Sequence, residues 1–350
     1  MKITEKLAAV TLTTALMLAA CAPAATSPSL DSLANTVSNI EPVTLILANA
    51  SAEDTVTGLM SHRFAELVYE LSGGTMVVDV FPNSQLGGDV EIFTNLGLGQ
   101  IDFVVGTTAP QVGTIPTLAI FDTPNAFDTA QTARAVFEDP EFMSIIRAEY
   151  YASGYKLLGF ADQFYRVMSS NVRINTIADF AGVRIRVMEN PFHIAYWQAL
   201  GASPTPMAFA EVFIGLQQGT IDAQENPHEV IVGASFYEVQ QYIINTNHLL
   251  HLISLVTNEA SFNTMPAHQQ QVILDAAAQV IPWARDQADI RVQNRIGIIE
   301  SAGTTILDIS DELKEDIASA IIGVRAEIHK AVGDTIYNAF WNAISRVGQP

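Results

Sequence analysis

The chain has 350 residues, 49% of them hydrophobic, with 21 Gly and 15 Pro. It is too long and too apolar for a tail or linker, and long enough for two lobes of ordinary size. Lys and Arg number 17 against 37 Asp and Glu, a formal charge of −20 with no basic run, so the positive footprint needed to track a nucleic-acid backbone is missing.

Residues 1 to 21, MKITEKLAAVTLTTALMLAAC, place Lys2 and Lys6 ahead of an uncharged stretch from Leu7 to Ala20. That stretch is shorter than the roughly 20 apolar residues needed to cross a bilayer and suits the apolar region of an export signal. It ends in Leu18-Ala19-Ala20-Cys21, which resembles the lipobox of bacterial lipoproteins. There, cleavage before the cysteine and acylation of its thiol leave a lipid-anchored amino terminus. Ordinary secretion with cleavage nearby is the alternative. Cys21 is the single cysteine, so the mature body is expected to hold no internal disulfide and no thiolate metal cluster. Residues 22 to 42 carry three Pro, four Ser and no aromatic residue and read as a flexible tether.

The segment VTLILANA from Val43 is an apolar run of strand length. It is followed by a helix with Leu59, Phe64, Leu67, Val68 and Leu71 at helical spacing, stopped by Gly73-Gly74. TMVVDVFP is a second strand, Asp89 caps a helix through Leu98, and IDFVVGT is a third strand. Strands alternating with helices over short Gly-containing links predict a mostly parallel sheet covered on both faces. KLLGFAD and YRVMSS read as two strands, ADF as a short turn, VRIRVM as a strand and PFHIAYWQALG as a helix. The phrase "helix, small polar turn, Ile-Asp" occurs at residues 97 to 103 and again at 216 to 223, which points to two lobes of related build. From Pro266 amphipathic helix dominates, with Gln269 to Ala302 broken or kinked at Pro282.

Sharp enzyme motifs are absent: the chain has no Gly-x-Ser-x-Gly elbow, HExxH, P-loop or Rossmann fingerprint. His248 and His251 lie in NHLLHLISLV, where a strand would put them on opposite faces, so they predict no metal site. Arginine is scarce and more informative. Arg184 and Arg186 alternate in VRIRV and project to one face, and Arg166 lies on YRVMSS; each is either a surface residue paired with an acid or a cleft residue. Asp222 to Pro227, DAQENP, is a dense polar patch at the end of a strand, where open α/β sheets place ligands. Asn226 precedes Pro227, which biases it to an extended conformation and leaves its amide available.

In this order and spacing, PxxQLG, GVRIRV, LGAxPTPM and LQQGTIDxQENP resemble the solute-binding proteins of TRAP transporters, the DctP-type family. The likeness runs from about Val43 to the terminal helices. It implies a two-lobe, periplasmic-binding-protein-like α/β fold with hinge strands and a long helix spanning both lobes. The implied lobes are residues 43 to 163 plus about 252 to 291, and residues 164 to 251 plus about 292 to 350 with the terminal helices. It also implies an extracytoplasmic, monomeric, non-enzymatic receptor that needs no cofactor and hands a small carboxylate to membrane subunits. By the resemblance the carboxylate ligand falls on Arg186, with a second arginine at Arg166, an amide at Asn226 and an aromatic contact at Phe209. First-lobe contacts fall on Asn49, Asp89 and Thr107. Sugar acids such as uronates are the first expectation for the ligand. A four-carbon dicarboxylate, a 2-oxo acid, or an ABC-type receptor of similar architecture are the alternatives.

Overall fold

The computed structural model describes residues 43 to 348. The expected signal, Cys21 and the tether lie outside the described residues.

Strand β1 (Val43–Ala48) is flanked in parallel by β2 (Met76–Phe81) and β3 (Phe103–Thr107). Helix α1 (Val56–Leu71) buries Val56, Met60, Phe64, Leu67 and Val68, one stripe at helical spacing. Thr55 starts it, its hydroxyl accepting the Gly58 N–H at 3.2 Å, a cap that contributes about 1 kcal/mol. Gly73 and Gly74, at φ of 63° and 82°, turn the chain out of it. Helix α2 (Asp89–Gly97) is capped by Gly88 rather than by Asp89, which occupies the first helical turn.

After α3 (Ala130–Val136) and α4 (Pro140–Ala152) comes β4 (Tyr155–Ser170), a single strand where the sequence suggested two. Its register slips between Asp162 and Tyr165, and Phe164 stands at φ 63°. Asp162 holds this bulge, accepting the Phe164 N–H at 3.2 Å and pairing with Arg134 at 2.6 Å. Then follow β5 (Arg184–Val187), α5 (Pro191–Ala199), β6 (Ser203–Pro206), α6 (Val212–Gln217), β7 (Ala223–Asn226), α7 (His228–Gly233) and β8 (Tyr242–Asn258). The QEN stretch is therefore itself a buried strand, not a patch beyond a strand's end.

The sheet runs β2-β1-β3-β8-β4-β7-β5-β6, with β9 (Thr305–Asp308) against β8. The long antiparallel strands β8 and β4 lie in its middle, between β3 and β7. One apolar cluster gathers Leu47, Phe64, Val105, Ile253 and Val280, and another gathers Val167, Leu216, Ile221 and Ile243. Each fully buried side chain of this kind contributes about 1.5 to 3 kcal/mol.

Helix α8 (Glu259–Thr264) leads into α9 (Ala267–Ser301), which runs through Pro282 as one helix of 35 residues. Proline removes one backbone hydrogen bond, and the packing of Ile281 into the gap over Gly159 holds the helix to β4 regardless. A side chain at Gly159 would meet Ile281 at 3.0 Å. Helix α10 (Asp311–Ala320) and α11 (Ile322–Val347), interrupted at Gly333 with φ 76°, complete the chain. Phe340 is fully buried, edge-on to Phe127 at 5.4 Å, so the last helix is part of the core. Among the described residues no helix is long and apolar enough to cross a membrane.

Candidate functional site

The two lobes meet across a cleft lined from the first lobe by Ala50, Ser51, Asp89 and Thr107, and from the second by Arg186, Met188, Phe209, Asn226 and Val230, with His251 from β8. The cleft is shut down to about 20 Å³, close to the smallest space that admits one water molecule. Closure has clear markers at its edges. A β-carbon on Gly88 would lie 3.8 Å from Ala208 Cβ, and one on Gly233 would lie 2.6 Å from Thr55 Cγ2. Beside this contact Arg295 on α9 donates to Asp54 at 2.8 Å and to Glu229 on α7 at 2.8 Å, with Arg291 bonded to the same two acids. Four charges from both lobes and the long helix are thus joined in one network.

Arg186 is the cleft's cation. It is 2% exposed, and its Nε and Nη2 both donate to the Met207 carbonyl oxygen, at 2.9 and 2.7 Å. Among the described residues Nη1 donates to no protein acceptor, so one end of the planar fork is held and the other faces the cleft. The Phe209 ring lies against the guanidinium, 5.9 Å from centroid to Cζ. Burial pushes the Arg186 pKa down to about 10, with Glu225 opposing that shift and Arg166 adding to it, and the group stays charged at neutral pH. Arg184 behaves differently. It is exposed and pairs with Asp222, the surface role open to either arginine from sequence.

Asp89 faces Arg186 from the other lobe. As a residue it is partly exposed, but its carboxyl lies inside the cleft, where burial pushes its pKa up to about 6 against the pull of Arg186. Thr107 lines the same space, as does Asn226, whose Nδ2 donates to Gln224 Oε1 at 2.7 Å. Strand alternation places Gln224 and Asn226 on one face of β7 and Glu225 on the other.

Two expected contacts take other positions. Asn49 is fully buried and turned back into its lobe, donating to Ser61 Oγ at 3.0 Å and accepting the Ser51 N–H at 3.0 Å. Its amide shapes the loop that brings Ala50 and Ser51 to the cleft. Arg166, 1% exposed, lies beneath the site and clasps Glu225 through Nε to Oε2 and through Nη2 to Oε1 at 2.8 Å. A guanidinium with a carboxylate already in its fork is a support for the site, not a second open anchor.

Glu225 was not singled out in the sequence, although it lies between Gln224 and Asn226 of the same motif. It is the hub of the buried polar layer. His248 Nε2 lies 3.2 Å from Oε2, and His193 Nδ1 lies 3.5 Å from Oε1. His193 also meets Asp122 at 3.2 Å, and Asp122 accepts from Asn190 at 2.7 Å. Burial alone would raise the Glu225 pKa, but Arg166 and the two histidines hold it well below the usual carboxylate range. Burial disfavours charged His193, and its bonds to Asp122 and Glu225 outweigh that, raising it to about 9.

His248 and His251 do not sit on opposite faces, as strict alternation predicted. Four residues of β8 oppose one of β4 between Leu249/Arg166 and Ile244/Met168, and Asn247 stands at φ 43°. His248 lies within this irregularity, and both rings meet the Arg166–Glu225 pair. His251 Nδ1 contacts Arg166 Nη1 and the ring lines the cleft. Among the described residues no cluster of His, Cys, Asp and Glu has metal-holding geometry. Two wider hollows of about 510 Å³ each lie elsewhere, one along Asn171 and Gln240, the other between Tyr165 and Lys314. Neither gathers a buried arginine.

A closed interlobe cleft with one half-held arginine is the geometry of a receptor for a small anion. Residues 47–330 match the family described as bacterial extracellular solute-binding protein, family 7. The chain belongs to this family, the DctP-type receptors of TRAP transporters. A solute-binding protein of Verminephrobacter eiseniae is 33% identical over 81% of this chain and 84% of that protein. The sugar acid binding protein of Advenella mimigardefordensis, solved with galactonate, superposes with TM-score 0.85 at 27% identity, covering 89% of this chain and all of that one. A TRAP solute-binding protein of Shewanella oneidensis, solved with succinate, gives TM-score 0.82 at 27% identity over 87% and 99% of the two chains. This chain is accordingly a solute-binding receptor and not an enzyme.

Proposed function

We propose that this protein is the extracytoplasmic receptor for a monocarboxylic sugar acid, which Arg186 holds by its carboxylate. The observation that carries this choice is Asp89, which faces Arg186 in the same cleft. With a pKa of about 6 it is mostly ionised at neutral pH. A second carboxylate on the ligand would meet it as a like charge, whereas sugar hydroxyls would donate to it, with Ser51 and Thr107 alongside. A charge-assisted bond of this kind contributes about 1.5 to 3 kcal/mol, and two or three of them with lobe closure reach micromolar affinity, about 8 kcal/mol. The galactonate bound by the Advenella protein fits this description.

In this reading residues 43 to 163 plus about 252 to 291 form lobe 1, and residues 164 to 251 plus about 292 to 350 form lobe 2. Arg166 supports the anchor, and Phe209 and Asn226 shape the ligand's flank. The protein acts as a monomer, releases its ligand unchanged and delivers it to the membrane subunits of a TRAP transporter. The sequence of residues 1 to 21 supports export and acylation at Cys21; a Cys21→Ala chain that stays in the membrane fraction would count against the anchor.

Calorimetry with galactonate, galacturonate and succinate tests the ligand class. The sugar acids are expected to bind in the micromolar range, and Asp89→Asn is expected to narrow their advantage over succinate. Wild-type protein that prefers succinate would overturn the reading.

A further inference from the structure

We propose that His251 is a neutral hydrogen-bond donor that reads the substituent next to the ligand's carboxylate, accepting a hydroxyl or oxo oxygen there and rejecting a methylene or an ammonium group. The inference rests on the organic-acid reading above and deepens it.

The argument begins with Arg166. Its guanidinium carries only donors, two of its nitrogens are committed to Glu225, and Nη1 faces His251 Nδ1. Nδ1 must therefore accept, which puts the ring's one proton on Nε2. A second proton on Nδ1 would set N–H against N–H beside a permanent cation, in a ring that is 6% exposed. Burial first, and then the Arg166 charge, hold the His251 pKa well below the ordinary histidine value, with Glu225 opposing and His193 adding. Among the described residues Nε2 of His251 makes no hydrogen bond to protein. The ring lines the same narrow cleft as Arg186, and the proposed place of the group bonded to Nε2 is therefore the carbon next to a carboxylate that Arg186 holds. An oxygen substituent accepts from Nε2–H. A methylene leaves that donor unpaired, and an ammonium brings a third donor and a cation against Arg166 and Arg186.

The test uses the full mature chain and three probes: galactonate, its 2-deoxy analogue and its 2-amino-2-deoxy analogue. Wild-type protein is expected to bind galactonate about tenfold more tightly than the 2-deoxy acid and to discriminate still more strongly against the 2-amino acid. His251→Leu is expected to bring galactonate and the 2-deoxy acid within about threefold of each other, and His251→Gln, which keeps a neutral donor, to restore part of the gap. An unchanged ratio in His251→Leu overturns the proposal. So does wild-type protein that binds the 2-amino acid as tightly as galactonate, a measurement that stands even if the leucine variant does not fold. Wild-type protein that binds none of the three acids overturns the sugar-acid reading itself, and this proposal with it.

Discussion

Asp102 and Asp222 hold matching places in the two lobes. Asp102 Oδ2 accepts the backbone N–H of Ile46 in β1 at 2.7 Å, and Asp222 Oδ2 accepts the N–H of Arg184 in β5 at 3.0 Å. Each follows a helix that ends on a glycine in the left-handed region, Gly99 at φ 71° and Gly219 at φ 66°. The repeated Ile-Asp phrase is thus a repeated joint, in which the carboxylate ties the incoming chain to the neighbouring parallel strand. Asp102→Ala leaves the Ile46 N–H without its partner. The expected cost is about 1 to 3 kcal/mol, read as a fall in Tm of a few degrees with galactonate affinity nearly unchanged, because the residue does not line the cleft.

Closure depends on Gly233 having no side chain. Gly233→Ala puts a methyl group 2.6 Å from Thr55 Cγ2, across the lobe contact, and overpacking of this kind costs about 1 to 3 kcal/mol. Because the clash exists only when the lobes meet, affinity for galactonate is expected to fall about tenfold. Adding Thr55→Ser removes the clashing methyl while keeping the hydroxyl that caps α1. Calorimetry should show recovery in the double variant; a deficit that persists would place the effect elsewhere.

Arg186→Lys tests the anchor. One ammonium cannot reproduce two bonds to the Met207 carbonyl and a third to the ligand in a fixed plane. Affinity for galactonate is expected to fall by at least about 2 kcal/mol, roughly thirtyfold. Arg184→Lys, on the exposed neighbour paired with Asp222, is expected to stay within about twofold. Near wild-type binding by Arg186→Lys would remove Arg186 from its assigned role.

The buried layer gives stability a pH dependence with a defined sign. His193 has its folded pKa raised from 6.5 to about 9. Its contribution is therefore fully present below about 6.5 and is lost as pH climbs through about 9. Glu225 has the opposite sense: held well below its ordinary value, it contributes above the usual carboxylate pKa and loses that contribution in strong acid. Urea denaturation between about pH 6 and pH 10 should show wild-type protein losing on the order of 3 kcal/mol more than His193→Gln. Parallel pH profiles would assign the loss to other groups.

Much of this protein follows from its sequence alone. The alternation of strands and helices, the glycine stops, the motif that carries Arg186 and the patch that carries Asn226 are local patterns, because period, caps and turns act over a few residues. What the cleft residues do was decided only by the fold. Arg166 and Arg186 look equivalent as arginines on strands, but Glu225, 59 residues away, fills the fork of Arg166, while Met207, 21 residues away, holds only one side of Arg186. Asn49 turned inward because Ser61 offered it an acceptor one helical turn into α1. His251 lies where the pairing of β4 with β8 slips between Asp162 and Tyr165, an irregularity that strict alternation does not foretell. Residue type sets which bonds a side chain is able to make, and only the tertiary structure determines which partners are within reach and which donors are left for the ligand.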